Sequence, residues 1–399
     1  MRVLFVWDSD YPWDIRVEKI CMSLIENDCE VHLVCRNRQR RPMEERLDGL
    51  HIHRIRCLPA GYGNLNGVFT FPAFFNPNWL LRINQILRSE KFDLIIVRDL
   101  PMAPAAIAMG KLNCVPVVLD MAESYPELIR LVWKYEPFKL ANLFARNPLI
   151  VDVIEKLVLK RVIHVFAMVE ESRDRLIGLG VPKSKITIVS NTPVPGRFEN
   201  ANSVTSGGSP NSAGRLILIY VGFVNYSRGL QNTLLSLREF AKVNSNFLLM
   251  ILGKGNAEAH LKRMAAELGL TEHVDFLGWI DNREIPGFIA SADVCIVPHP
   301  PSGHWNNTIP NKLFDYMAVG KPVLVSDVRP MKRIVNELRC GLVYEDSNAT
   351  SFVSQLSRLG DEVYRRELGQ NGRVAIATKY NWTEDSTRML NALRKLVQP

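Results

Sequence analysis

The feature that most constrains this chain is a repeated alternation of short, largely apolar runs with longer amphipathic stretches. Val3–Trp7, Val31–Val34, Leu94–Val97, Val115–Leu119 and His164–Val169 form a first series. Leu216–Val221, Phe247–Leu252, Val274–Leu277, Val294–Val297 and Pro322–Ser326 form a second. A strand that is apolar along its whole length has to be covered on both faces, as in a parallel sheet sandwiched by helices. Two such series predict an α/β chain of two doubly wound, Rossmann-like domains, and 399 residues are comfortable for two cores but too many for one.

The first domain is expected over residues 1–195, completed by a C-terminal helix within 380–399. The second is expected over 215–379. Between them, 196–214 reads as a flexible linker, because the polar, glycine- and serine-rich run from Asn200 to Gly214 cannot build a packed core. Ligands of open α/β sheets bind outside the carboxyl ends of the strands, so with two such sheets facing each other the cleft between them is the expected site.

Several classes fall away. Strand one is not followed by Gly-x-Gly-x-x-Gly, which argues against a dinucleotide oxidoreductase. The net charge of +8 favours anionic partners. Clustered basic and aromatic motifs for nucleic acid are not evident, so no nucleic-acid partner is expected. The seven cysteines are scattered, with no C-x-x-C pair, and read as free thiols of a reducing compartment. The N-terminus reads as a strand rather than a signal peptide, and no apolar run approaches the roughly 20 residues of a spanning helix. The expected location is the cytoplasm, with a peripheral place on the inner face of the membrane as the further expectation.

The most informative segment is Asn306-Asn-Thr-Ile-Pro-Asn-Lys-Leu-Phe-Asp-Tyr-Met-Ala-Val-Gly-Lys-Pro-Val-Leu-Val-Ser-Asp327. Pro310 suits the first turn of a helix, Thr308 or Asn307 can cap it, and Gly320-Lys321-Pro322 ends it before a buried strand. A helix start there would offer free N–H groups and a positive dipole end to a phosphate. Tyr220-Val-Gly-Phe-Val-Asn-Tyr-Ser-Arg-Gly-Leu230 follows the first strand of the second domain. Gly222 lets the backbone turn closely, and the Arg228 guanidinium can bind a diphosphate through paired hydrogen bonds.

With these residues in place, the chain resembles the family 4 retaining glycosyltransferases, which have the GT-B fold, and within them a subgroup that acts on cell-surface polysaccharides. The family's donor motif is a Glu, seven residues, a second Glu, then a turn and Gly-x-Pro-Val. The second Glu, which holds the ribose hydroxyls, corresponds to Asp315; the first, which contacts the donor sugar, to Asn307. Arg228 corresponds to the second of two phosphate-binding cations, and Phe223 stands where the first would be. Lys312, or Arg16 from the facing domain, is the expected replacement. Gly253 in Leu252-Gly-Lys-Gly-Asn256, and the backbone near Gly278 and Trp279, correspond to further nucleotide contacts.

In the first domain, Asp14-Ile-Arg-Val-Glu18 resembles the same subgroup. Arg16 either faces the cleft or pairs with Asp14 or Glu18. Arg98-Asp-Leu-Pro101 and Asp120-Met-Ala-Glu-Ser-Tyr-Pro126 stand where relatives carry histidines; here the positions read Arg98 and Ala122. Asp99 and Glu123 match the acidic residues, and Glu123 is the expected acceptor contact. The expected catalytic set is thus Arg228, Asn307, Glu123, Arg98 and Asp99. The expected nucleotide-sugar set is Gly222, Arg228, Gly253, Gly278, Trp279, Thr308, Lys312, Asp315 and Arg16.

Asp8-Ser-Asp10 imitates a metal motif of another architecture, and surface aspartates in a turn need no metal. His51 and His53 share a strand face but lack a third ligand; His299 and His304 sit in a Pro-rich loop before the donor motif. No metal ligand and no required cofactor are expected. Residues 127–161 mix Trp133, Phe138, Leu140 and Phe144 with Arg130, Lys134, Lys139, Arg146, Lys156 and Lys160, a composition that suits an anionic membrane surface or an ordinary packed helix.

The resemblance implies transfer of a sugar from a nucleotide-diphosphate sugar, UDP- or GDP-linked with UDP favoured, to a glycan or lipid-linked acceptor with retention. The rival readings are a GT-B nucleotide-sugar epimerase and a non-catalytic binding protein.

Overall fold

The computed structural model describes residues 1–12, 14–59, 61–71, 74–135, 146–198 and 214–397. The chain divides into two compact units: Met1–Val189 with the residues from Ser386 on, and Ser190–Asp385. Most of the 196–214 linker, residues 199–213, lies outside the described residues.

The strands of the first unit are β1 (Arg2–Asp10), β2 (Glu30–Arg36), β3 (Glu44–Leu47), β4 (Leu50–Arg54), β5 (Leu94–Arg98), β6 (Val117–Met121), β7 (His164–Ala167) and β8 (Ile186–Ile188). They form one sheet in the order β3-β4-β2-β1-β5-β6-β7-β8, parallel except for the antiparallel β3–β4 pair. The second unit has β9 (Leu216–Val221), β10 (Phe247–Leu252), β11 (Val274–Gly278), β12 (Val294–Val297), β13 (Val323–Ser326) and β14 (Gly341–Tyr344). Its sheet runs β11-β10-β9-β12-β13-β14 and is parallel throughout.

Each apolar run named from the sequence contains a strand. Central strands such as β5, β6, β10, β12 and β13 are buried along their whole length, because helices cover both faces and leave no wet side for polar residues. β6 begins two residues later than its run, at Val117, because the amide of Val115 still closes the preceding helix on Gly110 O at 2.8 Å. Each unit has its own core. In the first it includes Leu4, Ile95, Leu119 and Val165; in the second, Leu218, Leu249, Ile296 and Leu324.

Both sheets have a point where the strand order reverses. β1 lies between β2 and β5, and β9 lies between β10 and β12. Connections leave such a point in opposite directions, which opens a crevice at the carboxyl end of the strands. In the second unit the crevice is built by the loops after β9 and β12. Gly229, with φ of 79°, lets them meet: a Cβ there would stand 1.8 Å from Pro298 O.

Candidate functional site

The second unit gathers three basic side chains and two aromatic ones around these loops. Arg228 ends a short 3-10 turn, Tyr226–Arg228. Its guanidinium stacks 4.7 Å from the centroid of Trp305, and Nη1 lies 3.1 Å from His299 Nε2. His299 is fully buried, and burial, reinforced by Lys312 and Arg228, holds its pKa well below the ordinary value. A neutral imidazole accepts at Nε2 from the guanidinium. Trp305 is fixed in turn by its indole N–H, which donates to Ser227 O at 3.2 Å.

Lys312 lies on the helix Asn311–Val319, which follows β12 and its loop. Its ammonium is buried and makes no hydrogen bond among the described residues. Nζ sits 3.7 Å from the ring centroid of Tyr220. Gly222, with φ of 128°, leaves the room: a Cβ there would come within 2.9 Å of Nζ. Burial, and then the nearby Arg228, push the Lys312 pKa well below its ordinary value, opposed by Asp315 one turn along the same helix. A buried ammonium without a partner is costly. Arg228 and Lys312 thus set two basic groups close together beyond the carboxyl ends of β9 and β12.

The helix itself adds to this. Pro310 is its N-cap residue and not its first helical position, and proline offers no capping side chain. Thr308 is extended and buried two residues before it, and Asn307 ends the 3-10 turn Trp305–Asn307 with Nδ2 donating to Gly303 O at 2.6 Å. A helix start carries a positive dipole end. Nearby, Gly253 N donates to Gly278 O at 2.6 Å, tying the ends of β10 and β11. Trp279 and Phe223 present exposed rings, 70% and 58% accessible.

In the first unit, carboxylates and arginines crowd the carboxyl ends of β1, β5 and β6. Asp99, at the left-handed φ of 57°, accepts from the amides of Ala122 and Glu123 at 2.9 and 3.1 Å. It thereby shapes the loop that presents Glu123. Burial pushes the Asp99 carboxyl up to about 8, against the pull of Arg98. Arg98 Nη1 lies 3.2 Å from Asp14 Oδ1, and its guanidinium lies 5.0 Å from the Trp7 ring centroid. Burial raises Asp8 to about 6, again opposed by Arg98.

Arg16 is corrected by the structure as a phosphate-facing cation. Its fork grips Asp120 through Nε and Nη2, Nη2 also reaches Val189 O, and the side chain is 1% exposed. Nor does it pair with Asp14 or Glu18 as a helix-start bridge: Asp14 caps the helix through the amides of Arg16 and Val17. The sequence motif at Asp8-Ser-Asp10 makes no metal set among the described residues, and Asp10 is taken by Arg38, with Nε 2.6 Å from Oδ2. The seats provided by Tyr220 and Trp305 were not legible: Tyr220 stands in an apolar run, where an aromatic looks like core, and nothing in the polar loop around Trp305 ties its ring to Arg228. A cavity of about 650 Å³ in the second unit is walled by Pro193, Phe198, Arg373 and Asn381 rather than by the Arg228 loop.

The comparisons with known proteins fit this layout. A family profile described as "Glycosyl transferase 4-like domain" matches residues 14–192. A second, described as "Glycosyl transferases group 1", matches residues 207–375. An uncharacterized glycosyltransferase of Methanocaldococcus jannaschii is 20% identical over 391 residues, covering 95% of this chain and 93% of the relative. Sucrose-phosphate synthase from Thermosynechococcus elongatus superposes with a TM-score of 0.79 at 18% identity, covering 99% of this chain and 98% of that one. Anabaena HepE, solved in complex with UDP-glucose, superposes with a TM-score of 0.71 at 13% identity, covering 99% and 100%.

Proposed function

The chain belongs to the glycosyl transferases of group 1, with a glycosyl transferase 4-like domain ahead of the group 1 domain, and we propose that its donor is a nucleotide-diphosphate sugar, UDP-linked in preference to GDP-linked. Its two Rossmann-like units are those of the GT-B fold. The observation that carries the donor reading is the buried ammonium of Lys312, without a hydrogen bond among the described residues, beside Arg228 at a helix start. UDP in the HepE structure is a diphosphate of the kind such a cation set accepts.

In this reading Arg228, Lys312 and the helix start at Asn311 hold the diphosphate. Asp315 holds the ribose hydroxyls, the Gly253, Gly278 and Trp279 backbone lines the base, and Asn307 with Thr308 borders the sugar. As the bond between the anomeric carbon and the phosphate oxygen breaks, the leaving diphosphate gains charge, and these fixed cations and dipoles stabilise it. The acceptor oxygen bonds to the anomeric carbon on the face just vacated, and its proton passes to the leaving phosphate oxygen. Retention follows, and no metal is required. Arg98, Asp99 and Glu123 of the first unit serve the acceptor, a glycan or lipid-linked alcohol.

No helix among the described residues is long and apolar enough to cross a membrane. The first unit nevertheless exposes Leu149, Val153 and Leu157 on the helix Pro148–Leu159, close in sequence to Lys156 and Lys160. Phe138, Lys139, Leu140 and Phe144 of the basic, aromatic stretch lie outside the described residues. We assign this face to docking on an anionic membrane, on the inner, cytoplasmic side.

The test of the donor reading is calorimetric binding of UDP, GDP, ADP and TDP, followed by product analysis with the best-bound nucleotide sugar in excess chelator. Tight binding of one diphosphate and chelator-resistant transfer are expected. No binding of any of the four would overturn the donor site; release of free or isomerised sugar without an acceptor would point to epimerase chemistry.

A further inference from the structure

The first sheet brings four metal-binding side chains to one face, far from the loops described above. β2 carries Glu30 and His32, and β4 carries His51 and His53. Each pair is two residues apart, so its members share a face. The strands run parallel, with His32 paired to His51 and Val34 to His53. The imidazoles of His32 and His51 stack with centroids 4.5 Å apart, and those of His32 and His53 lie 5.1 Å apart. Phe92 closes the apolar side, edge-on to His32 at 5.0 Å. One ligand atom from each of Glu30, His32 and His51 lies within 4.8 Å of the others.

The neighbours fix how His32 points. Glu44 on β3 stands opposite His53, and its Oε2 lies 2.5 Å from His53 Nδ1. With a metal ion on His32 Nε2, the proton of His32 would sit on Nδ1, toward His53, and that of His53 on Nδ1, toward the Glu44 carboxylate. His53 Nε2, 2.9 Å from His32 Nδ1, then accepts from that ring. His32 Nε2 faces Glu30 Oε1 at 3.1 Å and Glu90 Oε2 at 3.9 Å, a place for either a proton or a metal ion between nitrogen and carboxylate. A carboxylate behind a histidine is also the usual device for holding a metal-ligating imidazole in its working tautomer.

We propose that Glu30, His32 and His51 bind a zinc ion, with His53 and Glu44 holding His32 in its ligating form. Two imidazoles and a carboxylate suit zinc better than magnesium or calcium, which prefer all-oxygen ligands. A tetrahedral zinc with bonds of about 2.1 Å needs its ligand atoms about 3.4 Å apart, so the group closes around the ion and the His32 and His51 rings, stacked at 21°, turn toward it. Arg46, whose Nη2 lies 2.6 Å from His51 Nε2, is exposed and gives way to it. Arg2 stays on Glu30, with Nη2 2.7 Å from Oε2. The fourth position goes to water or to Glu90. The ion clamps β4 to β2, so it acts on the stability of the first sheet and takes no part in transfer.

The experiment titrates zinc alone into the full, chelator-stripped chain against a chromophoric zinc indicator. One zinc per chain is expected, with His51→Ala and Glu30→Gln each weakening it at least tenfold and His260→Ala, in the other unit, leaving it unchanged. Cobalt in place of zinc should give the visible absorption of a nitrogen- and oxygen-ligated site, absent from His51→Ala. His51 is half-buried, so its truncation is checked by the circular dichroism of the metal-free variant. Absence of stoichiometric zinc, or zinc held equally well by His51→Ala and Glu30→Gln, overturns the assignment.

Discussion

Arg16 and Asp120, 104 residues apart, form a bidentate ion pair buried in the first unit: Nε lies 2.9 Å from Oδ2 and Nη2 2.5 Å from Oδ1, with the two side chains 1% and 0% exposed. The pair joins the helix Ile15–Ile25 to β6, and Nη2 also reaches Val189 O, just past β8. Removing one partner of a buried pair leaves an uncompensated charge, at a cost of about 3–5 kcal/mol. Arg16→Met should lower the urea midpoint accordingly, and adding Asp120→Leu should recover much of the loss. A surface-like effect below about 1 kcal/mol for Arg16→Met would show that the pair is not buried in solution.

Lys312→Met separates binding from stability. Loss of a charged donor to phosphate should weaken UDP by about 1.5–3 kcal/mol and leave uridine affinity unchanged. The ligand-free variant should melt no lower than the parent, since a buried ammonium without a hydrogen bond among the described residues is removed. Equal affinities for UDP in the two proteins would take Lys312 out of the site.

Asp315→Ala should weaken UDP by about 1–3 kcal/mol, the cost of losing a charged acceptor. With 2′-deoxy-UDP the loss should shrink, because part of the missing contact is already absent. Calorimetry on both nucleotides decides it, and an identical loss with each would place Asp315 away from the 2′-hydroxyl.

Asp8 predicts a pH dependence. Burial raises its pKa from 3.8 to about 6, so the folded state holds the proton more tightly. Its contribution to stability is complete below about pH 4 and is lost as pH rises through about 6. The melting temperature of Asp8→Asn relative to the parent should therefore climb between pH 4 and pH 7. A flat difference across that interval would contradict the raised carboxyl.

Membrane docking rests on charge and exposed apolar surface together. Lys134, Lys156 and Lys160 changed to Gln should cut sedimentation with anionic liposomes, each lysine near the surface adding about 1 kcal/mol, and leave UDP affinity intact. If the parent protein does not sediment with such liposomes at low salt, the docking reading fails and the donor reading stands.

Much of the fold was legible because burial on both faces writes itself as continuous apolar runs. β9, β10, β12 and β13 are such runs. β3, β8 and β14 were not read as strands. β3 is an edge strand with the pattern exposed, intermediate, exposed, exposed; β8 is an edge of three residues; β14 is an edge of four that opens on a glycine. Edge strands need no apolar signature on their open side. The donor-side cations were legible as types at motif positions, and Arg16 was misplaced because a sequence does not say which carboxylate meets a guanidinium.

What the sequence determined by itself is local. It fixed which stretches are strands buried on both faces, where the loops at their carboxyl ends fall, and which side chains those loops carry. The tertiary structure alone decided which of those side chains meet. Lys312 is set against Tyr220 and Gly222 because helix Asn311–Val319 packs beside β9, and Asp120 takes Arg16 out of solvent. His32 joins His51 and His53 only because β2 and β4 pair in one register, and a slip of one residue would turn either histidine set to the opposite face. Such pairings depend on how strands align across the sheet, and periodicity along one segment carries no information about alignment with another.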